Sequence, residues 1–258
     1  MTALLTGKVV LISGGTQGLG AGIARAAARE GAVLVLSGRN AARGEEVAAE
    51  LRAAGTDAAF ARADISDVAQ AQAAVAATIE RHGRIDCLVN AAGVALFDDD
   101  GSVFEIEERI WELTMRVNLD GMRLMTRAML PLLREGGRKS IVNIASTAGL
   151  RNMDSPLDAY QVSKAAVVSL SRAMAIQLGP EGIRCNTVCP GATLTPMIAH
   201  LYERSPERRV DMEQRTPLRR LGLPQDMADS VSFLCSERAS FITAADLVVD
   251  GGWTAQIK

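Results

Sequence analysis

The 258-residue chain predicts a doubly wound α/β fold: one domain on a parallel sheet of about seven strands, with helices on both faces. Three observations carry this. Segments such as Val9-Val10-Leu11-Ile12 and Val33-Leu34-Val35-Leu36 are apolar along their whole length, as strands buried on both faces are. They alternate with helix-patterned segments from end to end, and right-handed crossovers then wind the sheet both ways. No Pro/Gly/Ser-rich linker divides the chain, so residues 1–258 read as one domain.

The elements follow in order. After the first strand, Ala21 to Arg29 is Ala-rich and helical, closed by Gly31. The strand from Val33 leads to a helix from about Ala41 to Ala54, stopped by Gly55. Ala58 to Ala63 is a third strand. Ser66 or Asp67 caps the next helix, which ends near His82-Gly83. Cys87-Leu88-Val89 is the fourth strand, and a long helix runs from about Glu107 to Leu133. Ile141 to Ile144 is the fifth strand, followed by a helix bearing Tyr160 that reaches about Leu178. Cys185 to Cys189 and Leu247 to Val249 supply the last two strands. Residues 194–223 are polar, carry Pro206 and Pro217, and interrupt the rhythm; they read as a substrate-lid insertion over the sheet's C-terminal edge.

Composition narrows the function. Hydrophobic residues make up 48% of the chain, ample for a core, and the net charge is −2. Such a balance exerts no long-range pull on nucleic acid or an anionic membrane. No window approaches a membrane span, and the N-terminus has no signal-peptide pattern. Cys87, Cys185, Cys189 and Cys235 form no zinc spacing. Cys185 and Cys189 would stand about 13 Å apart along a strand, too far for a disulfide. Reduced thiols in a cytoplasmic protein are expected. His82 and His200 are the only histidines, and no metal site is expected.

The first strand runs directly into Ser13-Gly14-Gly15-Thr16-Gln17-Gly18-Leu19-Gly20 and then a helix. Gly14, Gly18 and Gly20 permit a tight turn and close backbone approach, and the helix start offers free amides to a pyrophosphate. Position between strand and helix is what a dinucleotide fingerprint requires. Where an acid often holds the adenine ribose, this chain has Ser37-Gly38-Arg39. Arg39 could neutralise a 2′-phosphate, which favours NADP over NAD; it could also be a solvent-facing loop arginine. Asp64, followed by Ile65, could meet the adenine or simply begin a turn.

Tyr160 and Lys164 stand four apart, on one face of a helix. A cation beside a phenol favours the phenolate and lowers its pKa, giving an acid/base near neutral pH. Only four lysines occur, Lys8, Lys139, Lys164 and Lys258, so this one stands out from its background.

Gly14-x3-Gly18-x-Gly20, Asn90-Ala91-Ala92-Gly93, Asn118, Ser146, Tyr160-x3-Lys164 and Pro190-Gly191 occur in the order and context of the short-chain dehydrogenases/reductases. The resemblance runs out to Val249-Asp250-Gly251-Gly252-Trp253. It implies a Rossmann fold and carbonyl or alcohol chemistry on a nicotinamide cofactor. By the same resemblance, Tyr160 is the general acid/base, Lys164 lowers its pKa and binds the nicotinamide ribose, Ser146 holds the substrate oxygen, and Asn118 holds a relay water. Thr16, Gln17, Leu19, Ser37, Asn90, Gly93, Pro190 and Gly191 are expected beside the cofactor. Val188 is expected against the nicotinamide, Thr195 at its carboxamide, and a homotetramer as the assembly.

Departures from the family pattern bear on the substrate. Ser13 replaces a common Thr, Ala91 an Asn and Leu223 a frequent Arg. Ser146 precedes Tyr160 by fourteen residues, one more than usual, so Arg151 to Pro156 is expected to bulge at the substrate mouth. Phe97 to Ser102 reads as a loop extension. A small-molecule ketone or alcohol is the expected partner. A nucleotide-sensing regulator without activity is the alternative of a different class, and epimerisation, dehydration or enoyl reduction are other chemistries open to the fold.

Overall fold

A computed structural model describes residues 3–135, 137, 139–153 and 155–256. Seven parallel strands form one sheet in the order β3-β2-β1-β4-β5-β6-β7. They are β1 (Val9–Ser13), β2 (Val33–Gly38), β3 (Ala58–Arg62), β4 (Cys87–Asn90), β5 (Lys139–Ile144), β6 (Ile183–Pro190) and β7 (Asp246–Val249). The helices are α1 (Gly18–Arg29), α2 (Ala41–Ala53), α3 (Val68–His82), α4 (Glu108–Met115), α5 (Gly121–Leu133), α6 (Asp158–Leu178), α7 (Pro196–Arg204), α8 (Pro206–Arg215) and α9 (Pro224–Cys235).

Side chains alternate across the sheet, so each strand feeds two cores. Val10 and Ile12 of β1 pack with Ile23 of α1, Val47 of α2 and Val231 of α9. Leu11, between them, packs on the other face with Val75 of α3, Met129 of α5 and Leu178 of α6. Burying an aliphatic side chain this completely contributes about 1.5–3 kcal/mol. Double-sided burial is why the strands read as unbroken apolar runs.

The order reverses between β1 and β4, which pair with each other although β2 and β3 lie between them in sequence. Loops leaving the C-terminal ends of the two strands therefore diverge there and open a crevice. The helix expected over Glu107 to Leu133 is interrupted. A π-turn over Arg116–Asp120 separates α4 from α5, with Gly121 N–H donating to Arg116 O. Residues 194–223, expected as an insertion, form α7 and α8 and the connection to α9. Asp154 of the expected 151–156 bulge, and Met1, Thr2 and Lys258, lie outside the described residues.

Candidate active site

Loops after β1, β4, β5 and β6 surround two adjoining cavities. One, of about 190 Å³, is lined by Gly14, Thr16, Gln17, Gly18, Leu19, Gly20, Arg39, Asp64, Ile65 and Gly93 among others. The second, of about 510 Å³, is lined by Ser146, Tyr160, Lys164, Pro190, Gly191 and Thr195 at its floor and by α7 and α8 at its mouth. Leu19, Ala91, Gly93, Thr195 and Met197 line both.

The glycine turn is shaped by close backbone approach. Gly14 has φ +76°, and a β-carbon on it would stand 2.5 Å from Ala92 N. One on Gly20 would stand 2.0 Å from Gly14 O. Gly14 and Gly15 donate their amides to Ser37 O at 2.8 and 3.2 Å, which seats the turn on β2. α1 starts without a side-chain cap, because Gln17 Oε1 accepts from Arg43 Nη1 at 2.6 Å instead. First-turn amides with no side-chain acceptor, at the positive end of a helix, fit a pyrophosphate. Asp64 closes the far side. Burial opposes its ionisation, but hydrogen bonds from Ser66, with Arg39 and Arg116 nearby, hold its carboxyl below the usual range.

α6 carries Tyr160 and Lys164 on one face, with Lys164 Nζ 5.8 Å from the Tyr160 ring centroid. Lys164 is only 5% exposed and donates to Ile144 O at 2.9 Å. Ser146 follows β5; its Oγ accepts from Ala148 N at 3.1 Å, and its side chain lies close enough to Tyr160 to lower the phenol's pKa. Two hydroxyls thus share one patch of cavity wall. Asn118 sits in the π-turn. Its Oδ1 accepts from Val94 N at 2.8 Å, and its Nδ2 donates to Val94 O at 2.9 Å and Ser163 Oγ at 3.0 Å. Gly93 makes room between them: a β-carbon there would stand 3.2 Å from Asn118 Oδ1 and 3.4 Å from Lys164 Nζ.

The electrostatics differ from the expectation for Tyr160. Burial pushes its pKa up, with only the neighbouring Ser146 hydroxyl opposing, so the nearby cation does not bring it toward neutrality. Burial also pulls Lys164 down, to about 8. Both groups are desolvated together, and desolvation favours the neutral form of each.

A carboxylate fixes the start of the helix that carries them. α6 starts at Leu157, which offers no side-chain cap. Asp100 supplies one from a distant loop, accepting from Ala159 N at 3.1 Å and from Tyr160 N at 2.9 Å. Asp158 returns the contact, accepting from Val103 N at 2.8 Å. The 97–102 segment, expected only as a loop extension, is therefore bolted to α6, the helix that carries Tyr160 and Lys164.

The family model described as enoyl-(acyl carrier protein) reductase matches residues 14–254. The human protein named dehydrogenase/reductase SDR family member 4 is 35% identical over 98% of this chain and 90% of its own length. The chain is a short-chain dehydrogenase/reductase. The 2,5-dichloro-2,5-cyclohexadiene-1,4-diol dehydrogenase LinX of Sphingobium indicum is 37% identical over the full length of both chains. The structure of a single-residue variant of actinorhodin polyketide ketoreductase with NADPH superposes with a TM-score of 0.91 at 33% identity, over 97% of this chain and 98% of that one. As a member of the short-chain dehydrogenase/reductase family, the protein is an NAD(P)-dependent oxidoreductase.

Within this short-chain dehydrogenase/reductase, three residues expected at the cofactor line neither cavity. Val188 is fully buried in the core, its neighbours being strand and helix side chains. Asn90 turns into the sheet, donating to Asn143 Oδ1 at 2.8 Å and Thr126 Oγ1 at 3.2 Å. Ser37 is buried at the end of β2, and its hydroxyl has no partner among the described residues. Each points away because successive strand residues face opposite ways. Phe97, Leu157 and Trp253, not singled out from the sequence, line the larger cavity. For Asp100 a signal existed: a helix beginning at a leucine needs its acceptor from elsewhere.

Proposed function

We propose that the protein interconverts a ketone and a secondary alcohol with NADP(H), with Tyr160 moving the proton at the substrate oxygen. The observation that carries this is that the Tyr160 and Ser146 side chains together line a cavity that adjoins the glycine turn. A bound nicotinamide supplies or takes the hydride. Ser146 and Tyr160 hold the oxygen on which charge develops. Tyr160 gives its proton in the reductive direction and takes one in the oxidative direction.

Lys164 lies where it can meet the nicotinamide ribose and stabilise the tyrosinate. Asn118 ties the 93–94 loop to α6 through Val94 and Ser163, and a relay water to Lys164 completes the proton path. Thr195, Pro190 and Gly191 border the nicotinamide end of the cavity. NADP is favoured over NAD because Arg39 lines the smaller cavity and Gly38 stands where an acid would repel a 2′-phosphate. Residues 194–223 act as the substrate lid. Four buried free thiols support a reducing compartment such as the cytoplasm, and a homotetramer is the assembly we infer.

Paired hydroxyls suit carbonyl and alcohol chemistry better than the enoyl reduction named by the family model. The test is to supply purified protein with panels of ketones and alcohols and either cofactor, following reduced-nicotinamide absorbance. Ketone reduction driven better by NADPH than NADH supports the proposal. Turnover confined to conjugated alkenes, or none with any carbonyl, overturns it.

A further inference from the structure

We propose that the larger cavity selects substrates whose apolar body ends in an anionic group, held by Arg208 at the mouth; this rests on the ketone/alcohol reading above. Most of the cavity wall is apolar, including Met153, Ile198, Leu201 and Met212. Among the described residues, the charged side chains that line it besides Lys164 are Arg208 and Asp211. Both come from α8, opposite the Ser146–Tyr160 floor.

The lid's ion pairs separate those two. Arg204 pairs with Asp98 at 3.0 Å, Arg209 with Glu213 at 2.9 Å, and Arg215 with Asp211 at 2.9 Å. Asp211 is therefore already matched by a cation. Arg208 has no carboxylate within ion-pair distance among the described residues, and it is the lid arginine that lines the cavity. A guanidinium left unpaired at the rim of an apolar pocket is a fork for a carboxylate or similar anion. The geometry then orders the substrate: reacting oxygen at Tyr160, apolar stretch along α7 and α8, anion at Arg208.

The experiment uses 5-oxohexanoate, 7-oxooctanoate and 9-oxodecanoate, each against its methyl ester, so that chain length scans the distance from floor to mouth. For at least one length, wild type should favour the acid over the ester by about two- to fivefold in kcat/KM, as expected of one exposed ion pair. The preference should shrink with added salt. Arg208→Gln should lose it, Arg208→Lys should keep part of it, and Arg209→Ala should keep the wild-type ratio. A wild-type ratio at or below one for every length, or equal losses in Arg208→Gln and Arg209→Ala, overturns the proposal. Calorimetric titration with 9-oxodecanoate reads the contact without turnover. Acid binding lost in Arg208→Gln, from a protein that reduces none of the ketones, would sink the oxidoreductase reading alone. Equal binding to both proteins would sink the anion site.

Discussion

Lys164 Nζ donates to the carbonyl oxygen of Ile144 at 2.9 Å, tying the middle of α6 to the last residue of β5. The bond fixes the ammonium in a position that water scarcely reaches, and burial pulls its pKa from 10.5 to about 8. Below about pH 8 both folded and unfolded chains hold that proton. Between about 8 and 10.5 the unfolded chain holds more, so stability rises with pH in that window. The depressed pKa corresponds to about 3 kcal/mol. Lys164→Met removes the titration. Urea unfolding from pH 7 to 10.5 should therefore show wild type gaining on the variant by up to that amount, nearly all of it above pH 8. Parallel pH profiles for the two proteins would contradict this.

Asp100 positions Tyr160 through the backbone. Asp100→Ala leaves two amides at the start of α6 without their acceptor and should destabilise the protein by about 2 kcal/mol. It should lower kcat by about tenfold while KM for cofactor stays near wild type, because misplacement of the acid is felt in the transition state. Asp100→Asn keeps an acceptor and should recover most of the rate. A variant that loses stability but keeps kcat would make the contact merely structural.

Arg39→Ala should raise KM for NADPH by about tenfold, the size of one charge-assisted contact. KM for NADH should change little, since NADH carries no 2′-phosphate. Steady-state kinetics with both cofactors checks this, and equal effects on the two would remove the basis for preferring NADP.

The strands were legible because residues such as Leu11 and Ile12 are buried on opposite faces and leave no polar alternation. The glycine turn was legible because its neighbours forbid a β-carbon. Tertiary relationships were not. The π-turn at Asn118 depends on a partner 24 residues away, Val94. The cap on α6 comes from Asp100, 60 residues before Tyr160. Periodicity reports neither. The Tyr160 pKa differs from the expectation for a related reason: spacing shows that Lys164 is near, but the desolvation acting on both groups depends on everything packed around them. The expectation that Ser37, Asn90 and Val188 face the crevice differs from the structure for the same reason, since a one-residue step along a strand reverses the face.

The most direct measurement is turnover by Tyr160→Phe, which keeps the ring and removes the hydroxyl that shares the cavity with Ser146. Carbonyl reduction should fall by about a hundred- to ten-thousandfold, the usual contribution of a general acid, while fluorescence titration shows cofactor binding unchanged. Carbonyl reduction near the wild-type rate by the pure variant would contradict the assignment of the proton to Tyr160.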